Sequence, residues 1–324
     1  MDNDCTGYLN YRTNYYEFFS EFVCINNDEN KNYLNIICCN IRSINAHFDE
    51  LLVFLENDVK NREIDIIVLT ETWHNVISCN YVLDGYDLYF SSIKRNQNDG
   101  VMVFAKHYLN VEFFEYDFID SNIVKLYINN TKMPINLICV YRSPGLDSDN
   151  FINSLRNVMN GLQFNNEIIL ITGDMNINII GGSENSNKYL NMLSESAFIS
   201  FINVYTRLPK GFNHSCLDHI FIHSNENVAN KINAGVILSD ITDHCMVCVS
   251  IPNNTNFVNN RIDFSNIDYN SITSLLANES WTDVCDICND VNHCYNVFIK
   301  IIKNAIDKST TRIILKSKNK RLKE

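Results

Sequence analysis

Asp174 and Asn176 stand one residue apart at the end of an apolar run, "EIILIT" (167–172). A strand of Ile and Leu has no packing use for an acid and an amide at its end, and both side chains offer oxygen atoms. Such oxygens suit Mg²⁺, which proteins hold by one or two carboxylates together with substrate phosphate. An Asp-x-Asn sequence taken alone is equally typical of a turn, because both side chains bond to nearby backbone groups.

Polar residues capable of chemistry also stand at the ends of other apolar runs. They are Asn40 and Arg42 after "NIICCN", Glu71 at the end of "IDIIVLTE", Tyr141 and Arg142 after "INLICV", Asp218 at the start of "DHIFI", and Asp243 and His244 before "CMVCVSI". Each one alone is explained as a rim residue, a core aromatic or a hydrogen-bonded histidine. Together they supply what phosphodiester hydrolysis requires: a proton acceptor for water, donors for phosphate charge, and ligands for a cation.

The elements that must position these residues form one layered α/β domain. Continuous apolar runs such as "IDIIVLTE" are typical of strands buried on both faces, and mixed strands and helices over about 220 residues indicate a large sheet core. Strands are predicted at 33–40, 64–71, 101–105, 123–128, 135–141, 167–172, 217–222, 234–238 and 244–251. Helical periodicity predicts helices at 48–59, 148–162 and 188–198.

This domain, residues 33–251, is predicted to lie between a leader and a tail. Residues 1–32 are polar and aromatic without clear periodicity, so we expect a loosely ordered leader. Residues 252–324 are predicted to form a linker, a helical segment with apolar positions between 291 and 305, and the basic end "KSKNKRLK".

Charge is distributed unevenly along the 324 residues. Residues 300–324 hold nine Lys or Arg and two Asp or Glu, which leaves 17 basic and 36 acidic residues, a net charge of −19, for residues 1–299. That sign excludes passive, sequence-blind adhesion to a polyanion. If the protein handles phosphate chemistry, it needs a cation to do so.

The sequence shows neither of the two features that would indicate a membrane protein or a secreted one. No apolar run reaches the roughly 18 residues that a membrane span requires, and no secretory or other targeting signal is recognised. An intracellular protein without a membrane partner is therefore expected. Several of the twelve cysteines lie within apolar runs, where a reduced cysteine serves as a small hydrophobic residue.

In their order and spacing, the motifs resemble the endonuclease/exonuclease/phosphatase superfamily. The resemblance runs over residues 33–251 and rests on "NIRS", "LTETW", "VYRSP", "TGDMN", "SCLDHIF" and "TDH". The segments "CNIRSINAHFDELLVFL", "GVMVFAK" and "ICVYRSPG" are most similar to the apurinic-type endonuclease domain of jockey/CR1-like non-LTR retrotransposons. The tail resembles the connector before the polymerase of such elements. A reverse transcriptase is lacking, so we expect a fragment of an element.

The resemblance implies a fold and an activity. The fold is an α/β (α+β) four-layer sandwich, in which helices flank two packed mixed β-sheets, with a partly helical C-terminal extension. The activity is Mg²⁺-dependent phosphodiester hydrolysis, with Mn²⁺ able to substitute, that nicks target DNA for retrotransposition. DNA is then the expected partner, together with element RNA or a reverse transcriptase domain missing from this chain, and the nucleus is the expected location.

The resemblance also implies roles for the residues nearest the reacting phosphate. Glu71 would bind Mg²⁺, with Asn40 close by and Asp218 supporting the metal–water network. Asp174 would orient and deprotonate the attacking water, and Asn176 would contact the scissile phosphate. Asp174 and Asn176 are therefore expected to hold a water molecule and a phosphate.

The remaining implied roles concern charge on the phosphate. Tyr141 would donate a hydrogen bond to a phosphate oxygen. His244 would stabilise the charge that develops on the phosphorane, and Asp243 would orient it. Arg42 and Arg142 would bind substrate, and Thr206 and Ser215 would supply secondary phosphate contacts or hydrogen bonds.

Two alternatives stay open on the sequence alone. A phosphatase of the same superfamily, acting on inositol phosphates or lipids, would use the same catalytic groups with a different pocket. A decayed retrotransposon copy would be no enzyme and would bind nucleic acid or a partner only through its Lys-rich end, residues 316–323.

Overall fold

The computed structural model of the protein describes residues 13–27, 32–58, 64–76, 81–131, 133–164, 166–253, 262–285 and 291–315. The chain divides into two compact units, Met1–Thr255 and Asn256–Glu324. No helix in the described residues has the length and apolarity needed to cross a membrane.

The secondary structure alternates between strands and helices along most of the chain. The described strands are β1 (Asn14–Tyr16), β2 (Tyr33–Asn40), β3 (Ile66–Thr70), β4 (Tyr86–Phe90), β5 (Val101–Lys106), β6 (Val111–Asp117), β7 (Asn122–Ile128), β8 (Ile135–Tyr141), β9 (Ile168–Asp174), β10 (Ile199–Ser200), β11 (Asp218–His223), β12 (Asn233–Ile237), β13 (Met246–Pro252), β14 (Ile262–Ile267) and β15 (Thr310–Leu315). The described helices are α1 (Phe19–Asn26), α2 (Ile44–Asp58), α3 (Ser148–Asn160), α4 (Glu184–Glu195), α5 (Glu226–Ala229), α6 (Tyr269–Ala277), α7 (Thr282–Cys285) and α8 (Val291–Ser309).

Two mixed sheets form the first unit. The first sheet has the order β1-β12-β13-β2-β3-β5-β4, and the second has the order β10-β11-β9-β8-β7-β6. Parallel pairs, β2 with β3 in the first sheet and β8 with β9 in the second, lie next to antiparallel pairs. The parallel pairs bring two strand ends to the same edge of each sheet.

Alternating side chains of the first sheet divide the interior into two layers. On β2, Ile36 and Cys38 join the cluster that contains the second sheet. Ile37 and Cys39 point the other way, into a cluster shared with α1 and α2. Helices α3 and α4 contribute buried residues to the cluster of β8 and β9. The predicted four-layer sandwich is confirmed.

Residues 13–27 of the predicted leader contain a strand and a helix, whereas residues 1–12 and 28–31 lie outside the described residues, so loose order of the leader stays a prediction there. Strand β1 adds to the edge of the first sheet, parallel to β12. Helix α1 buries Phe19 and Phe22 completely, and Phe22 packs edge-on against Tyr16 with ring centroids 5.4 Å apart. Aromatic burial fixes this segment although its sequence is too short to show a helical period.

Strands β4 and β6 are absent from the predicted set. Each is the last strand of its sheet, with one neighbour, and its residues are only partly buried. In β6 the polar and apolar residues of "VEFFEYD" do not alternate cleanly, so the period-two signal is weak. Strand β13 begins at Met246, two residues later than predicted, which leaves His244 in the preceding loop.

The second unit consists of α6, α7, α8 and the antiparallel pair β14 and β15. Helix α8 contains the predicted periodic positions of the tail, so the partly helical extension is confirmed. Most of the predicted linker, 254–261, and the basic end, 316–324, lie outside the described residues. The domain boundary at 251/252 stays a prediction, four residues before the division between the two units.

The cysteines of the two units differ. Those on or beside the strands of the first unit, such as Cys38, Cys139 and Cys248, are free and buried, as expected for small hydrophobic residues. Cys294 on α8 is disulfide-bonded, against the expectation that the cysteines are reduced.

The burial of α1 makes a stability prediction. Phe22→Ala should lower the free energy of unfolding by about 3–5 kcal/mol, because it leaves a cavity in a closed apolar cluster. Phe18→Ala is the matched control, since that ring is 55% exposed and its removal should cost less than about 1 kcal/mol. Urea unfolding followed by circular dichroism measures both, and equal losses in the two variants would show that α1 is not part of the core.

Candidate active site

Three neighbouring strands of the second sheet bring Tyr141, Asp174 and Asp218 side by side. Tyr141 pairs with Asp174 across parallel β8 and β9, and Asp174 pairs with Asp218 across antiparallel β9 and β11. The last residues of two strands thus meet the first residue of the third at one edge. All three residues are at most 2% exposed.

Asn40 links this edge to the first sheet. It is the last residue of β2 and is fully buried. Its Nδ2 donates to Oε2 of Glu71 at 2.7 Å and to Oδ2 of Asp174 at 2.8 Å. Because Glu71 follows β3 and Asp174 ends β9, one amide holds carboxylates from both sheets. The proximity expected for Asn40, Glu71 and Asp174 is present.

The backbone around Glu71 is unusual. Glu71 and Trp73 have φ values of 53° and 51°, and Ser43 has a φ of 86°. Such left-handed conformations are unfavourable for residues with a Cβ and persist where surrounding contacts hold them. Here the amide of Ser43 donates to the carbonyl of Glu71 at 2.9 Å. These contacts turn the Glu71 side chain towards Asn40 after β3 has ended.

His244 is oriented by Asp218. Nδ1 of His244 lies 2.8 Å from Oδ2 of Asp218, and both side chains are buried. Burial by itself would lower the pKa of His244, but the Asp218 carboxylate outweighs it and raises that pKa to about 9. The imidazole is therefore charged at neutral pH, with Nδ1 engaged by Asp218.

The prediction that Asp243 orients His244 is wrong. Although it is the preceding residue, Asp243 pairs with Arg42, whose NH2 lies 2.7 Å from Oδ1, and with Arg207, whose Nε lies 2.8 Å from Oδ2. Burial alone would raise the pKa of Asp243, but the Arg207 hydrogen bond and the charge of Arg42 lower it. Arg207 has no place in the predicted set, because nothing in "YTRLPK" distinguishes it from a solvated arginine.

Thr206 makes hydrogen bonds within the protein, which is one of the two roles expected for it. It is fully buried, and its hydroxyl accepts hydrogen bonds from the amides of Leu217 and Asp218, both at 3.0 Å. It therefore fixes the start of β11, where Asp218 stands. The backbone of Ser215 pairs with that of Arg207. A substrate contact from the Ser215 hydroxyl stays a prediction.

Arg142 is also a positioning residue, which corrects its predicted contact with substrate. The guanidinium is buried and donates to three backbone carbonyls: Nε to Met175 at 2.7 Å, NH2 to Asn176 at 2.8 Å, and NH1 to Leu146 at 2.5 Å. In return, Nδ2 of Asn176 donates to the carbonyl of Arg142 at 2.7 Å. The two residues lock the segment after β9 into one conformation.

That conformation also depends on Gly173. Its φ is 140°, and a Cβ at this position would lie 1.9 Å from the carbonyl oxygen of Val140. Only glycine allows β9 to approach β8 this closely just before Asp174. Asn176 then adopts a φ of 49°, and its backbone N–H donates a hydrogen bond to Oδ1 of Asp174 at 2.9 Å.

Tyr141 is held in its protonated form. Burial, and then the negative charges of Glu71 and Asp174, raise the pKa of its hydroxyl well above the ordinary value. The charge of Asp99 adds to this effect. Asp99 is buried, and its Oδ2 accepts hydrogen bonds from the amides of Arg95 and Asn96. Sequence reasoning does not identify it, because an Asp-Gly pair signals only a turn.

The donor set fits a divalent cation. Asp174, Asp218 and His244 offer ligand atoms that all lie within 4.8 Å of one another. Oδ1 of Asp218 is buried without a hydrogen-bond partner. Burial and the charge of Asp218 raise the pKa of Asp174 to about 7. Since Glu71 adds a third carboxylate, the negative charge of the carboxylates exceeds the positive charge of His244. A hard cation that prefers oxygen ligands would balance this excess of negative charge.

Comparison with known proteins identifies the fold. No protein-family model matches the chain, and no curated protein matches it. Among solved structures, the endonuclease domain of TRAS1, a telomere-specific non-LTR retrotransposon, matches with a TM-score of 0.54 at 13% identity, over 69% of this chain and 100% of that chain.

Two further structures give the same result. An endonuclease/exonuclease/phosphatase family protein from Leptotrichia buccalis C-1013-b matches with a TM-score of 0.51 at 19% identity, over 67% of this chain and 99% of that chain. The AP endonuclease LMAP from Leishmania major matches with a TM-score of 0.54 at 13% identity, over 69% of this chain and 89% of that chain. The chain has the endonuclease/exonuclease/phosphatase fold.

The Asp218–His244 contact makes a prediction for the metal-free protein. Asp218→Asn should lower the pKa of His244 clearly from about 9, because the carboxylate that opposes the effect of burial most strongly is removed. Asp243→Asn should lower it much less, since the charge of Asp243 is the smallest of the contributions. An NMR titration, with His244→Gln to assign the resonance, measures both. A larger shift in Asp243→Asn would restore Asp243 as the partner.

Proposed function

We propose that this protein is a Mg²⁺-dependent phosphodiester hydrolase that nicks DNA. The observation that carries the proposal is the convergence of Glu71, Asp174, Asp218 and a charged His244 at one edge of the sandwich. This edge therefore holds a proton acceptor, a positively charged hydrogen-bond donor, and carboxylates that could bind a metal. Hydrolysis of a phosphate ester requires these groups together.

Asp174 is the residue suited to accept the proton of the attacking water. A general base works best when its pKa lies near the working pH, and the pKa of Asp174 is raised to about 7. Two hydrogen bonds fix the orientation of the carboxylate. The side chain of Asn40 donates to Oδ2, and the backbone N–H of Asn176 donates to Oδ1. A water molecule held by this carboxylate would be aligned for attack on phosphorus.

His244 and Tyr141 are suited to stabilise charge on the phosphate. Asp218 occupies Nδ1 of His244, so Nε2 of the charged ring is the donor for a non-bridging oxygen. The Tyr141 hydroxyl stays protonated and donates to another oxygen. Fixed donors that meet charge as it develops in the transition state lower the barrier.

The remaining groups belong to binding and to the metal. Arg142 and Gly173 fix the backbone of Asn176, whose amide group would contact the scissile phosphate. Glu71 and Asp218, with Asn40 beside them, would hold Mg²⁺, and Mn²⁺ could replace it. When bound, the cation would supply positive charge to the phosphate and to the leaving oxygen.

DNA is the proposed substrate, and the resemblance of the sequence motifs to retrotransposon endonucleases supports it. Two of the structures with the same fold are described as the endonuclease domain of a retrotransposon and as an AP endonuclease. The nick would then provide an end from which a reverse transcriptase primes, with element RNA as a further partner. A nuclear location belongs to the same proposal.

Removal of one carboxylate tests the proposal. Glu71→Gln keeps the size of the side chain and removes the charge that attracts Mg²⁺, so nicking should fall about 100-fold or more. Conversion of supercoiled plasmid to open circles, with and without Mg²⁺, measures the rate. Glu184→Gln is the matched control, because Glu184 is an exposed residue of α4 and its loss should leave the rate unchanged.

The same assay separates the alternatives. A Glu71→Gln protein that nicks like the wild type would overturn the metal assignment. A wild type that leaves plasmid intact, while releasing phosphate from an inositol phosphate, would indicate a phosphatase. A folded wild type inactive on both substrates would indicate a retrotransposon remnant without activity.

A further inference from the structure

Asp243 holds two arginines beside the catalytic edge. Its Oδ1 contacts NH2 of Arg42 at 2.7 Å, and its Oδ2 contacts Nε of Arg207 at 2.8 Å. The arginine side chains are 40% and 36% exposed, whereas that of Asp243 is 20% exposed. The carboxylate is thus covered by the two guanidinium groups, which face outward.

The arginine pair retains most of its hydrogen-bonding capacity. A guanidinium has five N–H groups in a planar fork, and each ion pair with Asp243 engages one nitrogen. With Asp243 included, the three side chains carry a net charge of +1. Residues 1–299 carry −19, so this is a local cationic group on an acidic protein.

The backbone places the pair at the rim of the candidate active site. The amide of Arg42 donates to Oδ1 of Asn40 at 3.1 Å, and Arg42 has a φ of 41°. Arg207 forms backbone bridges with His244 and Ser215. Both arginines are therefore tied to residues that surround the reacting phosphate in the proposed function.

We propose that Arg42 and Arg207 form a second phosphate subsite, which takes a phosphodiester next to the scissile one in the same strand. The inference rests on the proposed function and adds a contact with a second phosphate of the polynucleotide, on the other side of a nucleotide. Guanidinium forks bind phosphate through paired, charge-assisted hydrogen bonds. The subsite gives an acidic protein a cationic contact with nucleic acid where it is needed.

Asp243 is the positioning residue of this subsite. Its carboxylate holds the two flexible arginine side chains in one arrangement before substrate binds, which lowers the entropy lost on binding. An arginine nitrogen lies near each of its oxygens, NH2 of Arg42 at 2.7 Å from Oδ1 and Nε of Arg207 at 2.8 Å from Oδ2, so we assign Asp243 to the arginines and not to the cation. Asp218 instead contacts Nδ1 of His244 through its Oδ2.

The salt dependence of DNA binding tests the subsite. The affinity of the full chain for a labelled DNA duplex would be measured by fluorescence anisotropy over a series of KCl concentrations, with Ca²⁺ in place of Mg²⁺. Arg42→Gln and Arg207→Gln should each reduce the slope of log affinity against log salt by about 0.9 and weaken binding. Arg156→Gln is the control, because Arg156 pairs with Glu195 on the surface of α3 and α4 and should keep the wild-type slope.

Metal titration tests the role of Asp243. In Asp243→Asn the Mg²⁺ concentration for half-maximal nicking should stay within about twofold of wild type, whereas loss of a group that supports the metal costs about 10–100-fold. A shift of that size would show that Asp243 serves the cation and would overturn its positioning role.

The outcomes distinguish this inference from the proposed function. Wild-type slopes in both arginine variants, with thermal unfolding unchanged and wild-type nicking intact, overturn the subsite and leave the proposed function standing. Reduced slopes in a chain that does not nick support the subsite and overturn the activity. A folded wild type that neither binds the duplex nor nicks overturns both.

Discussion

The crowding of negative charge at one edge of the sandwich governs the rest of the site. Glu71, Asp174 and Asp218 converge there, and the charged imidazole of His244 contacts one of them, Asp218. The amide of Asn40 keeps two of the carboxylates in place without neutralising them. Burial, and then this imbalance of charge, raise the pKa of Asp174 and of Tyr141, which suits one to accept a proton and the other to donate a hydrogen bond. The same imbalance makes a divalent cation a favourable addition.

Such a cluster needs a rigid frame, and buried polar residues that do not face the phosphate provide it. Arg142 ties three backbone carbonyls together behind Asn176. The hydroxyl of Thr206 accepts hydrogen bonds from two backbone amides at the start of β11. Gly173 allows β9 to lie close to β8. Of these residues, Arg142 and Thr206 were expected to contact substrate or to form hydrogen bonds. Their contacts show that side chains of the same chemical types as the catalytic groups serve to position them.

The sequence predicts much of this arrangement. Apolar runs that end in polar residues identify most of the strands, and the resemblance of the motifs to a known superfamily brings Asn40, Glu71 and Asp174 together in one site. The partner of His244 was not predictable. Asp243 is its neighbour along the chain, yet adjacent side chains point to different sides. Asp218, from β11 of the other sheet, faces the imidazole instead. Helix α1 was not predicted for a similar reason, since Phe19 and Phe22 are buried only through their packing against the edge of the first sheet.

The carboxylate cluster is proposed to hydrolyse phosphodiesters within DNA. The chemical groups at the two ends of the nick test this proposal most directly. Supercoiled plasmid would be incubated with the wild type and Mg²⁺, and the open circles would then be given to a DNA polymerase with labelled nucleotides. If Asp174 activates the attacking water and the bond between phosphorus and the 3′ oxygen of the sugar breaks, the nick carries a 3′-hydroxyl and a 5′-phosphate, and a polymerase extends it. Open circles that cannot be extended, or plasmid that stays supercoiled with Mg²⁺ and folded protein present, would contradict the account.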